Sequence, residues 1–334
     1  MGLNSPVSRL RASFRRRSGW RASPLLVAGL ATVLAAACTS DAANEVTRAD
    51  RSVFDYDRTA PVELVESNTV DRGSVLIRHV TFPSPLGGKV SAVITEPTDE
   101  AAAAGVIMMH GLPGRASDMI NWGAAFACAG VVGIAVDAPF SRWENRFREP
   151  PLTFTPQDAD EQIQLIVDLR RAVDVLIKEI ESAPIGYLGI SYGAAMGGLL
   201  AGVEDRIDAF ALVVGDGGVV AHWTDENGRP LFELNELDQD ELSDWLAVMR
   251  PIEPALFVGE ASAPILFLNG YDERAVTEAD AIAYHQAAGS NHQVNWYDAG
   301  HNLTPEAWDQ QMVWLSGHLG IDRQIAERCL PSSD

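Results

Sequence analysis

The amino-acid pattern specifies an α/β protein built on a doubly wound, mostly parallel sheet. It adds an N-terminal antiparallel hairpin and a small cap insertion. Three observations carry this reading. Short apolar runs alternate with segments of helical periodicity from about residue 61 onward. The first two β-rich runs are joined by a tight turn, which only antiparallel neighbours allow. One stretch, about 217–262, interrupts the alternation with far more residues than an ordinary connection needs.

Taken in order, Val75–Phe82 and Lys89–Glu96 flank Pro85-Leu86-Gly87-Gly88 and form the hairpin. Gly105–Met109 is a short buried strand ending at His110-Gly111. Residues 117–129 carry helical spacing through Met119, Trp122 and Phe126, and Val131–Val136 is the next strand. The clearest helix is 157–181, where Ile163, Ile166, Val167, Val173, Leu176, Ile177 and Ile180 recur at helical intervals. Ile185–Ile190 is a strand followed by a helix of small residues, Ala194–Val203. Ala209–Val214 and Ile265–Leu268 are further strands, Thr277–Ala288 a helix, Gln293–Tyr297 a strand and Pro305–Leu319 the last helix. The insert holds ten acids against Arg229 and Arg250, with Trp223, Phe232, Trp245 and Phe257, and is expected to be a mostly helical lid.

The chain has 334 residues, 47% apolar and 21% charged, enough for a full hydrophobic core in one capped domain. A net charge of −21 excludes the basic surface that nucleic-acid binding needs. Three cysteines are too few and scattered for a disulfide framework; Cys128 reads as buried and inert, and Cys329 has no evident role. No Cys/His cluster has metal-ligand spacing, so neither metal nor organic cofactor is expected.

The acidic average conceals a basic beginning. Residues 1–37 contain six Arg and no acid, and Pro24–Ala37 is an uncharged run. A basic region, a short apolar region and small residues before a cleavage point make a secretory signal. Cys38 follows Ala35-Ala36-Ala37, an arrangement that resembles a bacterial lipobox and implies a lipid on Cys38. The expected organisation is a signal at 1–37, a polar tether at 38–60 and a catalytic domain at 61–334 outside the cytoplasm. The partner expected from this segment is a membrane, reached through that lipid.

Chemistry enters at Gly189-Ile190-Ser191-Tyr192-Gly193, a G-x-S-x-G string between a buried strand and a helix. That context is a nucleophile elbow: Gly189 and Gly193 remove side chains that would clash in the tight turn. A serine nucleophile needs a base and an orienting acid. Gly270-Tyr271-Asp272 follows one strand and Gly300-His301 another, both at carboxyl ends, where open α/β sheets place functional groups. The expected triad is Ser191, Asp272 and His301. Asp216, after Ala209–Val214, is the rival acid, whereas Glu273 and Asp298 read as solvated or structural. His110 reads as a structural hydrogen-bonding residue. His79, His222, His285, His292 and His318 read as surface or core. Arg142, Trp143, Arg146 and Arg148 lie in a loop at the functional edge, and Trp143 and Trp223 are candidate substrate-pocket residues.

With these residues in place, the chain resembles the α/β-hydrolases, and among them dienelactone-hydrolase-like serine esterases, over roughly residues 75–320. His110-Gly111-Leu112-Pro113-Gly114, Asp137-Ala138-Pro139, Asp168–Asp174, the elbow, Gly270-Tyr271-Asp272 and Gly300-His301 carry the resemblance. It implies an oxyanion hole made by the Leu112 and Tyr192 backbone N–H groups. It also implies hydrolysis of a small-molecule carboxylic ester through an acyl-enzyme, with a prolyl-oligopeptidase-like peptidase or amidase as the alternative. A non-catalytic surface lipoprotein that keeps the fold is the contrasting class. Crowding of acids in the lid favours neutral or cationic substrates over anionic ones. Cys38→Ser is expected to release the protein from membranes, read by its partition between membrane and soluble fractions; unchanged partitioning would refute the anchor.

Overall fold

The computed structural model describes residues 50–98, 102–142, 148–225 and 227–330. Cys38, Trp143, Arg146 and the signal lie outside the described residues.

Nine strands form one sheet in the order β1-β2-β3-β5-β4-β6-β7-β8-β9. They are β1 Val65–Asp71, β2 Val75–Pro83, β3 Lys89–Pro97, β4 Ala104–Met109, β5 Val131–Val136, β6 Ile185–Ile190, β7 Ala209–Val213, β8 Ile265–Gly270 and β9 His292–Tyr297. The β1–β2, β2–β3 and β3–β5 pairs are antiparallel, and β4 to β9 run parallel. The functional consequence is geometric. The carboxyl ends of six parallel strands, and the loops that follow them, meet at one edge of the sheet.

Both faces of the sheet are covered. On β4, Ile107 and Met109 join one core cluster and Val106 and Met108 the other, the alternation a pleated strand imposes. The first face is covered by α2 (Gln157–Ile180) and α3 (Tyr192–Val203), through Ile166, Leu169, Val173 and Leu176 from α2. The second is covered by α1 (Ile120–Cys128) and α7 (Pro305–His318), through Phe126, Met312 and Leu315. Burial on both faces explains why β4 to β8 read as continuous apolar runs.

The insert between β7 and β8 contains α4 (Val219–Trp223), α5 (Gln239–Met249) and several 3-10 turns. It is tied to the domain by a buried aromatic: Trp245 of α5 is fully buried, and its Nε1–H donates to Asp158 Oδ2 at 2.9 Å. The same carboxylate accepts from the backbone of Thr153 and Phe154 at the start of α2. After β8 come α6 (Glu278–Ala287) and, at the end of the chain, α8 (Arg323–Arg328).

Three expectations change. Residues 50–60 are not a free tether: Phe54 is fully buried, 5.5 Å from Phe257, and Tyr56 donates to Arg170 O and Asp174. Strand β1 was not anticipated because it is an edge strand exposed along its whole length, so it has no apolar alternation to detect. Cys128 is exposed, not buried, and forms a disulfide with Cys329, 201 residues away in sequence. The bond pins α8 to the end of α1; spacing could not reveal it, because pairing depends on where two distant helices meet. Cys329→Ser is expected to lower unfolding stability by ~2–4 kcal/mol. Urea unfolding checks this: reductant should lower the wild-type midpoint and leave that of the variant unmoved.

Candidate active site

Ser191 occupies the junction of β6 and α3 with φ +55° and ψ −117°, a positive φ that a non-glycine residue rarely adopts. The turn is held by Ser191 N–H donating to Val213 O at 2.8 Å and by Ala194 and Ala195 N–H donating back to Ser191 O. The two flanking glycines are sterically required. A Cβ on Gly189 would lie 2.2 Å from Gly193 O, and one on Gly193 would lie 2.3 Å from Met109 O. Tyr187 O–H completes the turn by donating to Gly193 O at 2.7 Å.

Ser191 lines a cavity of about 280 Å³ with His301, Leu112, Tyr192, Trp223, Asp216 and His222; Leu152, Ala195, Val219 and Val276 add apolar wall. Tyr192 is the first residue of α3, where backbone N–H groups have no partner within the helix, and Leu112 sits on the loop after β4. Both residues expected to supply oxyanion donors therefore border the serine. Trp223 lies on α4, edge-on to Phe154 and Phe232.

The carboxylate on His301 is Glu273, not Asp272. His301 Nδ1 lies 2.7 Å from Glu273 Oε2, and the Glu273 side chain is only 5% exposed. Its other oxygen accepts from Arg274 and Ala275 N–H at 2.7 and 2.6 Å. Asp272 is exposed. The cause is backbone registration beyond β8. Tyr271 N–H donates to Tyr297 O and Asp272 N–H to Ala299 O, which prolongs the pairing with the β9 side. Tyr271 and Asp272 form a turn with both residues exposed, and the chain then turns back so that the Glu273 carboxylate meets His301. Two adjacent carboxylates in sequence gave no means of telling which faces the histidine.

Asp216, the rival acid, does border the cavity but is bonded to His222, with Nδ1 at 2.7 Å from Oδ2. His222, read as surface or core from sequence, is thus a site residue. Its signal was hidden because it lies on the five-residue cap helix α4, whose position over the sheet no periodicity reveals. The Asp216 hydrogen bond holds the His222 imidazole above its ordinary range, against the opposing effect of burial.

His110 is buried and structural: Ala138 N–H donates to its Nε2 and Nδ1 lies 2.7 Å from Gly111 O. Accepting at Nε2 places the proton on Nδ1, and burial lowers the pKa, so the ring stays neutral and braces the loop that carries Leu112. Arg142 pairs with Asp168 at 2.7 Å and Arg148 with Glu161, so both described arginines of that loop are engaged by α2.

These features define the α/β-hydrolase fold. Solved structures bear this out. An acetyl xylan esterase from Paenibacillus sp. R4 superposes with a TM-score of 0.62 at 16% identity, over 77% of this chain and 89% of its own. A cold-adapted esterase from an Arctic intertidal metagenomic library gives 0.55 at 17%, over 76% and 99%. A candidate dienelactone hydrolase from Klebsiella pneumoniae subsp. pneumoniae gives 0.53 at 15%, over 73% and 99%. No family model and no curated protein matches the chain.

One buried acid beneath the cap has a thermodynamic consequence. Glu253 accepts from Val220 and Ala221 N–H at 2.8 and 3.1 Å, yet burial pushes its carboxyl up to about 8. The unfolded chain releases this proton near 4.5, the ordinary value, and the folded chain near 8. Between these values the unfolded state binds fewer protons, so rising pH favours unfolding. Glu253→Gln removes that titration. Stability measured by denaturant from pH 5 to 8 should fall less steeply in the variant than in the wild type.

Proposed function

We propose that this chain is an exported, lipid-anchored serine hydrolase that cleaves carboxylic esters through an acyl-enzyme. The observation that carries the reading is Ser191 in a positive-φ elbow, sharing one cavity with a histidine held by a buried carboxylate. The esterases among the structural neighbours support the same reaction class. Ser191 Oγ attacks the ester carbonyl while His301 Nε2 takes its proton. Glu273 accepts from His301 Nδ1, fixes the tautomer and stabilises the imidazolium. The Leu112 and Tyr192 N–H groups receive the charge that develops on the carbonyl oxygen. His301 then protonates the leaving alcohol, and water, activated by the same histidine, releases the acid.

The cavity, about 280 Å³, suits a short acyl group. Export is supported by the Cys128–Cys329 disulfide, since such bonds persist in oxidising compartments. Lipid on Cys38 would then hold the domain at a membrane surface. The acidic surface disfavours anionic substrates.

Ser191→Ala is expected to abolish labelling by a fluorophosphonate probe and hydrolysis of p-nitrophenyl esters. Glu273→Gln should lower kcat/KM by roughly 10³-fold or more, and Asp272→Asn by less than about threefold. Loss of activity in Asp272→Asn with retention in Glu273→Gln would overturn the assignment of the acid. Faster turnover of aminoacyl anilides than of p-nitrophenyl acetate to octanoate would make the protein an amidase instead.

A further inference from the structure

The cavity holds two histidine–carboxylate pairs, and the proposed reaction uses one. His301 and Glu273 serve Ser191; His222 and Asp216 line the same cavity and are surplus to that task. Asp216 is fixed from below by the chain after β7, because its second oxygen accepts from Gly218 N–H at 3.1 Å. Its side chain is 6% exposed, whereas that of His222 is 32% exposed. A carboxylate only accepts, so the His222 nitrogen facing it, Nδ1, carries a proton. The two ring nitrogens lie on opposite edges of the imidazole, which turns Nε2 away from Asp216. Among the described residues, no group is hydrogen-bonded to Nε2.

We propose that His222, held by Asp216, is a specificity-determining residue whose Nε2–H donates a hydrogen bond to an uncharged acceptor oxygen on the part of an ester lying beneath the cap. This rests on the ester-hydrolase reading above and extends it from reaction class to substrate class. Three observations favour a hydroxyl, carbonyl or ether oxygen over a carboxylate. Asp216 already places a carboxylate on the cavity wall, and Asp280 and Glu273 add to the negative field at His222. The Asp216 partner offsets the charge of a protonated His222, leaving little net attraction for an anion. Away from Ser191, His301 and Asp216 the wall is apolar, with Val219, Trp223 and Leu152, so the His222 donor is a rare polar point on a largely oily lining. A half-buried donor that substrate covers and a hydrocarbon leaves unpaired is a discriminating element, because the apolar isostere loses the bond and strands the N–H.

Isosteric ester pairs test this. On the acyl side, p-nitrophenyl 4-oxopentanoate is compared with p-nitrophenyl 4-methylpentanoate; on the alcohol side, 2-hydroxyethyl acetate with propyl acetate. The quantity read is the ratio of kcat/KM within each pair, which cancels general damage to the catalytic centre. His222→Phe is expected to lower that ratio by about tenfold in at least one pair, whereas His222→Gln, which keeps an N–H donor, stays within about threefold of wild type. A ratio unchanged by His222→Phe in both pairs overturns the proposal, as does a His222-dependent preference for p-nitrophenyl hemisuccinate over both acyl esters.

A second readout needs neither turnover nor a His222 variant. In Ser191→Ala protein, methyl 4-oxopentanoate or 2-hydroxyethyl acetate should shift the His222 Nε2 resonance in a ¹⁵N spectrum, and the hydrocarbon isosteres should not. Absence of a shift with both oxygenated esters overturns the proposal. A shift in a protein whose wild type hydrolyses no ester would sink the hydrolase reading and leave the His222 binding site standing.

Discussion

The close approach of helix α3 to the sheet governs the rest of the molecule. The helix contains Gly193, Gly197, Gly198 and Gly202, and all but its first residue are buried. A side chain at Gly198 would meet Tyr284 O–H, and one at Gly202 would meet the backbone of Phe257. So the sheet, α6 and the cap all press against one small-residue helix, and its first turn is wedged between β4 and β6. That pressure keeps Ser191 at positive φ, a conformation costing of order 1–3 kcal/mol that persists only where the surroundings over-determine it. The same wedge places Ser191 and Tyr192, the first residue of α3, side by side in the cavity wall, so one packing constraint sets both residues of the proposed elbow.

The cap depends on the domain through buried polar anchors as much as through apolar contact. Asp158 joins the start of α2 to Trp245 of α5 and Gln162 of α2 donates to Ile252 O, while Glu253, inside the insert, closes the amino end of α4. Each anchor is a hydrogen bond that fits one geometry only, unlike hydrophobic contact, which is tolerant of sliding. With the insert tied to α2 near α5 and α4 held by Glu253, the short helix presents His222 and Trp223 to the cavity in fixed positions. The acids that make the insert so negative are largely on its outer surface; the two that matter at the site, Asp216 and Glu253, are buried.

Much of the fold was legible in the residues. The helix at 157–181 and the strands at 131–136 and 185–190 fall within a residue of their observed ends, because deep burial imposes a strong period on the apolar positions. The elbow was legible for a different reason: only glycine fits at 189 and 193, so the steric demand is written as residue type. What escaped detection has weak periodicity or none. Strand β1 is wholly exposed, the segment around Phe54 is anchored by isolated side chains, and the two ends of the disulfide are 201 residues apart.

By itself, the chain determined the sheet and the positions of Ser191 and His301 at the ends of strands, since each is fixed by local pattern. Only the tertiary structure decided between neighbours. Asp272 and Glu273 are adjacent and chemically alike, and the turn at 271–272, bonded to Tyr297 O and Ala299 O, leaves Asp272 in solvent and Glu273 on His301. Likewise Asp216 meets His222 rather than His301, because the cap brings α4 over β7. Which acid serves which base depends on side-chain direction over a few ångströms, and direction is a product of packing between segments far apart in the chain.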